Sequence, residues 1–92
     1  MIRSFRDVET EILFNDQDVP GFRSIERVAR RKLLFLHQAR YLEDLRVPPG
    51  NRLEAMKGDR KGQYSIRINN RWRICFRWKD GDVYDVEITD YH

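Results

Sequence analysis

The chain has 92 residues, of which 40% are hydrophobic and 36% are charged, and its formal net charge is +3. This length suits one domain over residues 1–92, and the composition excludes a disordered chain. No apolar run approaches the roughly 18 residues that a membrane span needs. The opening residues also lack the positive-then-apolar pattern of a secretion signal, so we expect a cytoplasmic protein with no membrane partner. Cys75 is the only cysteine, which excludes an intramolecular disulfide and a cysteine-rich zinc site.

The first half of the chain predicts a short strand followed by two helices. Residues 2–5 are expected to form the strand, and Asp7 is expected to cap a helix that extends to about Phe14. The apolar stripe of this helix consists of Val8, Ile12 and Leu13. Ser24 is expected to cap a longer second helix. Its buried stripe has helical spacing and consists of Ile25, Val28, Ala29, Leu33 and Leu36. Prolines and a glycine at positions 47–50 end this helical half.

The second half alternates between apolar and polar residues with a period of two, which is typical of β-strands. Three antiparallel strands are predicted, centred on residues 64–68, 72–78 and 84–88, and residues 52–56 predict a fourth. The predicted fold class is therefore α+β. Two N-terminal helices are expected to pack on one face of a mainly antiparallel sheet of four or five strands.

The parity of the apolar residues predicts how these strands pair. All of them share one face only if the connecting loops have an odd length, because residues directly opposite each other lie on the same face. The loops are then expected to be residues 69–71 and 79–81, with Gly81 in the left-handed conformation. This register places Ile66 opposite Ile74 on the apolar face.

The other face of the predicted sheet is basic. Arg67 and Arg73 become cross-strand neighbours there, with Glu87 predicted opposite Arg73 on its other side; two adjacent guanidinium groups are unfavourable unless an anion or acid lies between them. Because the helices cover the apolar face, the basic face is expected to stay open. Residues 46–79 hold ten basic residues against two acidic ones, as expected of a protein that contacts phosphates. The alternatives are a solvated basic surface and an Arg67–Arg73–Glu87 surface network.

The chain closes with Asp90, Tyr91 and His92, which place a carboxylate, a phenol and an imidazole side by side. Imidazole titrates near neutral pH, and a positioned carboxylate or imidazole can transfer a proton in a transition state. Such an acid and base near one phosphate are what RNA cleavage by the 2′-hydroxyl requires. A straight last strand would put Asp90 and His92 on the apolar face, so this prediction needs the chain to bend after about Ile88. The alternative is a frayed, solvated chain end.

Three motifs together resemble the HigB branch of the RelE/ParE toxin superfamily, and the resemblance covers the whole chain in length and element order. They are Leu-x-x-Met-Lys-Gly-Asp-Arg from Leu53 to Arg60, Asn-x-x-Trp-Arg-Ile from Asn69 to Ile74, and the closing Asp-Tyr-His. The resemblance implies a toxin that cleaves mRNA in the decoding site of the ribosome, with no metal or other cofactor. The partners it implies are a HigA-type helix-turn-helix antitoxin, the ribosome and mRNA, and operator DNA bound through the antitoxin complex.

The resemblance also implies roles for individual residues. Asp90 and His92 would share the proton transfers, Tyr91 would stack on a base or orient a neighbour, and Arg73 would stabilise the phosphate. The resemblance implies that Lys57, Arg73 and, as a weaker candidate, Arg60 bind RNA phosphates. Arg67 is expected to bind them because it lies on the predicted basic face.

Glu54 stands where some toxins of this branch have a histidine, whereas GraT-like members have glutamate. Glu54 either takes over a proton-transfer role, or the site operates without that group. Two alternatives to the nuclease stay open, namely a ParE-like toxin that acts on gyrase and a basic RNA- or protein-binding module.

Overall fold

The computed structural model describes residues 1–90. Its fold consists of two helices on one face of a four-stranded antiparallel sheet. The helices are α1, Val8–Phe14, and α2, Glu26–Gln38. The strands are β1, Glu54–Ala55; β2, Tyr64–Arg67; β3, Trp72–Lys79; and β4, Asp82–Asp90. They lie in the sheet in chain order, and each neighbouring pair is antiparallel. The predicted α+β fold class is confirmed. None of the helices in residues 1–90 is long and apolar enough to cross a membrane.

The opening residues run alongside β4 rather than forming a regular strand. Ile2 and Phe5 make isolated parallel bridges with Val83 and Val86. The backbone N–H of Arg3 donates to the Val83 carbonyl at 2.7 Å. The predicted first strand is therefore present only as two bridges on the edge of the sheet.

The first helix begins as predicted but buries a different residue. The Asp7 carboxylate accepts a hydrogen bond from the Thr10 backbone N–H at 3.2 Å, as an N-cap does. Val8 is 65% exposed, so its predicted place in the apolar stripe is wrong. Thr10 is fully buried instead, and its hydroxyl accepts a hydrogen bond from the Ile88 N–H at 3.0 Å. The helix thereby contacts β4 through a polar bond as well as through Leu13.

The second helix begins one residue later than predicted. Its N-cap is Ile25, not Ser24, and no side chain caps it. The 3₁₀ turn Pro20–Phe22 precedes it, and the Ile25 N–H donates to the Phe22 carbonyl at 3.0 Å. The predicted stripe of this helix packs into one core with the sheet. Full burial of each such side chain stabilises the fold by about 1.5–3 kcal/mol relative to exposure.

The register between β2 and β3 is the predicted one. Ile66 lies opposite Ile74, and Arg67 lies opposite Arg73. In the connecting turn the Asn69 side-chain oxygen accepts the backbone N–H groups of residues 71 and 72, both at 2.8 Å. This Asx turn closes the hairpin without a glycine.

The connection between β3 and β4 is shorter than predicted. Lys79 lies opposite Asp82, so the loop holds only two residues, Asp80 and Gly81. Their φ angles are 52° and 82°, which is the left-handed pair that a type I′ hairpin requires. The prediction of a three-residue loop is therefore wrong.

A β-bulge in β4 compensates for the shorter loop. The pairing shifts by one residue between Cys75 and Arg77, and Asp85 has a φ of 54°. The extra residue returns Val86 and Ile88 to the buried face. The two-residue turn and the bulge together place the apolar residues of β4 on the same face of the sheet as those of β3, as the apolar pattern predicted.

Candidate functional site

The face of the sheet opposite the helices is less open than predicted. Ser65 and Cys75 are fully buried, and Arg73 is only 6% exposed. Arg52 and Arg60, which precede β2 in the chain, reach over this face and bond to residues of β3 and β4. The expectation of an open basic face is therefore wrong for its centre. Two pockets remain accessible along residues 52–60, and Arg77 and Asp85 are exposed elsewhere on this face.

Two neutral acceptors among the described residues orient the Arg73 guanidinium. Its Nε donates to Ser65 Oγ at 2.8 Å, and its Nη2 donates to the Arg52 carbonyl oxygen at 2.7 Å. Glu54 Oε2 lies 3.8 Å from the same Nη2, and the Glu54 side chain is 51% exposed. Hydrogen bonds to a hydroxyl and a carbonyl orient the guanidinium but leave its charge in place. An anion that reaches this group meets a cation whose position is already set.

The first pocket collects most of the basic residues that surround Arg73. Arg67 stands opposite it on β2, and the Arg67 Nη2 donates to Asn70 Oδ1. The pocket has a volume of about 300 Å³ and is lined by Arg52, Glu54, Arg67, Asn69, Asn70 and Arg73. Three arginines against one glutamate make this concave surface net positive, which favours an anionic ligand.

The second pocket lies beside the first and shares Glu54 with it. It has a volume of about 460 Å³ and is lined by residues 54–57, 59 and 60. Lys57 is exposed there. The Glu54 carboxylate pairs with Arg73 at 3.8 Å, and Lys57, which follows Glu54 in sequence, lines the second pocket. Of the predicted site residues, Glu54, Lys57, Arg60, Arg67 and Arg73 thus line two adjoining pockets.

Arg60 is held in an ion pair within the sheet. Its Nη1 donates to Glu87 Oε1 at 2.9 Å and to Gln63 Oε1 at 3.1 Å. Glu87 lies opposite Cys75 because the shorter loop and the β4 bulge each shift the pairing by one residue, so its predicted place opposite Arg73 is wrong. The predicted Arg67–Arg73–Glu87 network is replaced by an Arg60–Glu87 pair. This pair fastens the segment before β2 onto the sheet.

Asp90 lies at the end of β4 and belongs to the other face. It is opposite Trp72, so β4 runs straight through its last described residue. Its carboxylate accepts hydrogen bonds from Arg71 at 2.8 Å. Hydrogen bonding to Asp90 raises the pKa of Arg71, with the charge attraction adding to it. The bend predicted after Ile88 is absent up to Asp90, whereas Tyr91 and His92 lie outside the described residues.

Several residues in or beside the first pocket were not predicted from the sequence. Arg52 contributes its carbonyl from a left-handed backbone, with φ 45° and ψ 61°, which no sequence pattern at this position indicates. Ser65 looked like an ordinary polar strand residue. Asn69 and Asn70 were recognised only as a turn. Residues 1–90 contain no group of three or more His, Cys, Asp or Glu side chains placed to hold a metal ion.

Two solved structures show the same fold class as this chain. One is a crystal structure of a YafQ mutant from E. coli, with a TM-score of 0.65 and 11% sequence identity, covering 98% of this chain and 91% of that one. Another is the YoeB–YefM complex from Staphylococcus aureus, with a TM-score of 0.54 and 16% identity, covering 100% of this chain and 98% of that one. At these identities the likeness concerns the fold alone.

Sequence similarity identifies the family within this class. A family model described as the RelE-like toxin of the type II toxin–antitoxin system HigB matches residues 3–92. Toxin HigB-1 of Vibrio cholerae is 41% identical over 85 residues, which cover 88% of this chain and 87% of that protein. Endoribonuclease HigB of Proteus vulgaris is 32% identical over an alignment that covers 100% of both chains. The chain belongs to the HigB-like toxin family, and as a type II toxin it has an antitoxin partner.

Proposed function

We propose that this toxin is an endoribonuclease that cleaves mRNA in the decoding site of the ribosome and thereby inhibits translation. The observation that carries the proposal is the net-positive pocket in which Arg67 and Arg73 flank the Glu54 carboxylate. Guanidinium groups hold phosphoryl oxygens, and a half-exposed carboxylate beside them can accept a proton. The name of the Proteus vulgaris relative, an endoribonuclease, supports the same activity.

The reaction that suits these groups is attack by the RNA 2′-hydroxyl oxygen on the adjacent phosphorus. The new O–P bond forms as the bond to the 5′-oxygen breaks, leaving a 2′,3′-cyclic phosphate and a 5′-hydroxyl. A base removes the proton from the 2′-hydroxyl, and an acid protonates the departing 5′-oxygen. Arg73 stabilises the negative charge that accumulates on the phosphoryl oxygens. This scheme uses side chains alone and needs no cofactor.

The proton transfers are assigned to Glu54 and His92. Glu54 is half exposed and lies beside Arg73, which supports it as the base that takes the 2′-hydroxyl proton. His92 is the proposed acid, because imidazolium gives up a proton near neutral pH. Tyr91 would stack on a neighbouring base. The ion pair between Asp90 and Arg71 supports a positioning role for Asp90 at the end of β4.

The second pocket extends the proposed RNA path. Glu54 lines both pockets, so an RNA chain with one phosphate bound at Arg73 would place its neighbouring phosphate in the second pocket. We propose that Lys57 binds this neighbouring phosphate. The ion pair of Arg60 with Glu87 supports a smaller contribution from Arg60, mainly by holding the segment before β2 in place.

The proposed partners follow from the type II system. The antitoxin is proposed to be a HigA-type helix-turn-helix protein, and the toxin–antitoxin complex to bind operator DNA through it. Co-expression with the neighbouring gene should restore growth and yield a stable complex. Ribosomes are proposed to align the flexible mRNA over the pockets, which would make free RNA a poor substrate.

The decisive experiment adds the purified toxin to an in vitro translation reaction and maps mRNA ends by primer extension. New cuts within codons that appear only with ribosomes present are the expected result. A reaction with free mRNA serves as the control. Intact mRNA together with inhibited DNA supercoiling would instead identify a gyrase toxin, and neither effect would indicate a binding module.

A further inference from the structure

A buried hydrogen-bond cluster joins α2 to the loop that leads into the first pocket. Asn51 is fully buried, although its amide side chain is polar. The Lys32 ammonium, on α2, donates to Asn51 Oδ1. The Asn51 amide nitrogen donates to the carbonyl oxygens of Leu45 and Val47, both at 3.3 Å. One side chain therefore connects the helix to two carbonyl groups of the loop.

The Lys32 ammonium sits in largely apolar surroundings. A small cavity of about 240 Å³ beside it is lined by Arg31, Lys32, Phe35, Pro48 and Asn51. Burial lowers the pKa of Lys32, and the charge of Arg31 lowers it further. A desolvated ammonium makes a strong bond to a carbonyl-type acceptor, because water competes less for it. This bond fixes Asn51 relative to α2.

The cluster leads directly to Arg73. Asn51 ends the 3₁₀ turn Pro49–Asn51, and the next residue, Arg52, takes the left-handed conformation. This conformation is disfavoured for a residue with a Cβ and persists only when its surroundings enforce it. It directs the Arg52 carbonyl to the Arg73 Nη2 at 2.7 Å.

We infer that Asn51, anchored by Lys32, is a positioning residue for RNA cleavage, because it holds the Arg52 carbonyl that sets the Arg73 guanidinium in the phosphate pocket. The inference rests on the proposed nuclease function. Asn51 and Lys32 act through Arg73 and do not line the phosphate pocket. A misplacement of the guanidinium by about 1 Å would lower the rate on the order of 10²-fold without removing the charge.

The test measures kcat and KM for ribosome-dependent cleavage of one mRNA by Lys32→Met and Asn51→Ala. Lys32→Met keeps the length of the side chain in its apolar surroundings and removes the donor. Arg27→Met is the matched control, because it removes a charge from another position of α2 that is exposed and does not line the cavity beside Lys32. Each variant is also made in an Arg73→Ala background. Near-UV circular dichroism reports whether each variant is folded.

The expected result is a kcat lowered by roughly tenfold or more for both test variants, with KM little changed and the control unaffected. In the Arg73→Ala background the same changes should lower kcat no further, because a positioning residue has no effect once the side chain that it positions is removed. Wild-type kcat in the folded test variants would overturn the inference, and so would equal losses in both backgrounds. If Asn51→Ala does not fold, the kcat of Lys32→Met alone tests the inference. Absence of cleavage by the wild type would refute the proposed function instead.

Discussion

At the scale of single residues, Arg73 links the fold to the proposed chemistry. It is nearly buried, yet it lines the first pocket. Its bonds to Ser65 Oγ and to the Arg52 carbonyl connect two strands and a loop. A change at Arg73 therefore affects stability as well as activity, unlike a change on the exposed surface on which sequence reasoning had placed it.

Arg73→Lys should keep the charge and lose the two-point attachment. An ammonium cannot bond to both acceptors with the fork geometry of a guanidinium. We expect cleavage to fall about 10²–10³-fold and unfolding free energy to fall by about 1–3 kcal/mol. Cleavage kinetics and urea unfolding check this. Arg77→Lys is the control, since Arg77 is an exposed arginine of the same strand. Full activity of Arg73→Lys would contradict the role of the two guanidinium hydrogen bonds.

His92→Ala tests the proposed acid. General acid–base catalysis contributes 10²–10⁴-fold, so we expect the cleavage rate to fall by about 10²-fold or more. Thermal unfolding of the variant is measured beside its cleavage rate. Cleavage assays and thermal melts give the two numbers. A folded His92→Ala variant with full ribosome-dependent activity would show that the closing residues are not part of the catalytic apparatus.

Cys75 predicts a specific dependence of stability on pH. Burial raises the pKa of its thiol above the ordinary value of 9.0, with the Arg60 charge partly opposing the shift. The stability from the neutral thiol is therefore fully present below about pH 9, and it is lost as the pH rises toward the folded pKa. Relative to Cys75→Ala, the wild type should lose unfolding free energy between about pH 9 and pH 10. A difference that stays constant over this interval would be the contrary result.

At the scale of elements, the sequence predicted the sheet better than its connections. The alternation of apolar residues gave the three long strands and the pairing of Ile66 with Ile74, because a one-residue slip would bury a row of arginines. Parity alone cannot tell a three-residue loop from a two-residue loop followed by a bulge. The structure has the second solution, with Asp80 and Gly81 in the turn and Asp85 in the bulge.

The site was predicted from the sequence only in part, and the reason is physical. Motifs indicated Arg73, Lys57 and Glu54, since these side chains have chemistry of their own. The Arg52 carbonyl and the Asn51 amide act through backbone geometry and burial. Such roles depend on how the loop folds over the sheet, and residue type alone does not encode them.

The β4 bulge gives a stability prediction at the element scale. Asp85 has a φ of 54°, which asparagine, aspartate and glycine tolerate and β-branched residues do not. Asp85→Val should lower the unfolding free energy by about 1–3 kcal/mol. Asp85→Asn is the matched control, because it keeps a tolerant residue and loses only the exposed ion pair with Arg77, worth about 0–1 kcal/mol. Equal stabilities of the two variants in thermal melts would argue against strain at the bulge.

At the scale of the whole molecule, the two faces of the sheet divide structure from proposed function. The helices bury one face in a single apolar core. Residues 52–60 cover the centre of the other face and leave the two pockets along that segment. The ten basic residues of positions 46–79 lie in the half of the chain that builds this second face. Membership of the HigB-like family and the net-positive first pocket thus agree on a toxin whose target carries phosphates.

Cleavage of an mRNA with a single 2′-deoxy nucleotide tests the central claim most directly. The nucleotide is placed 5′ to the phosphate that the toxin cuts in ribosome-bound all-ribose mRNA. The account predicts no cut at that phosphate, because the attacking hydroxyl is missing, and it predicts a 5′-hydroxyl on the downstream product of the all-ribose mRNA. Cleavage of the deoxy substrate at the same phosphate, with a 5′-phosphate on the downstream product, would contradict it.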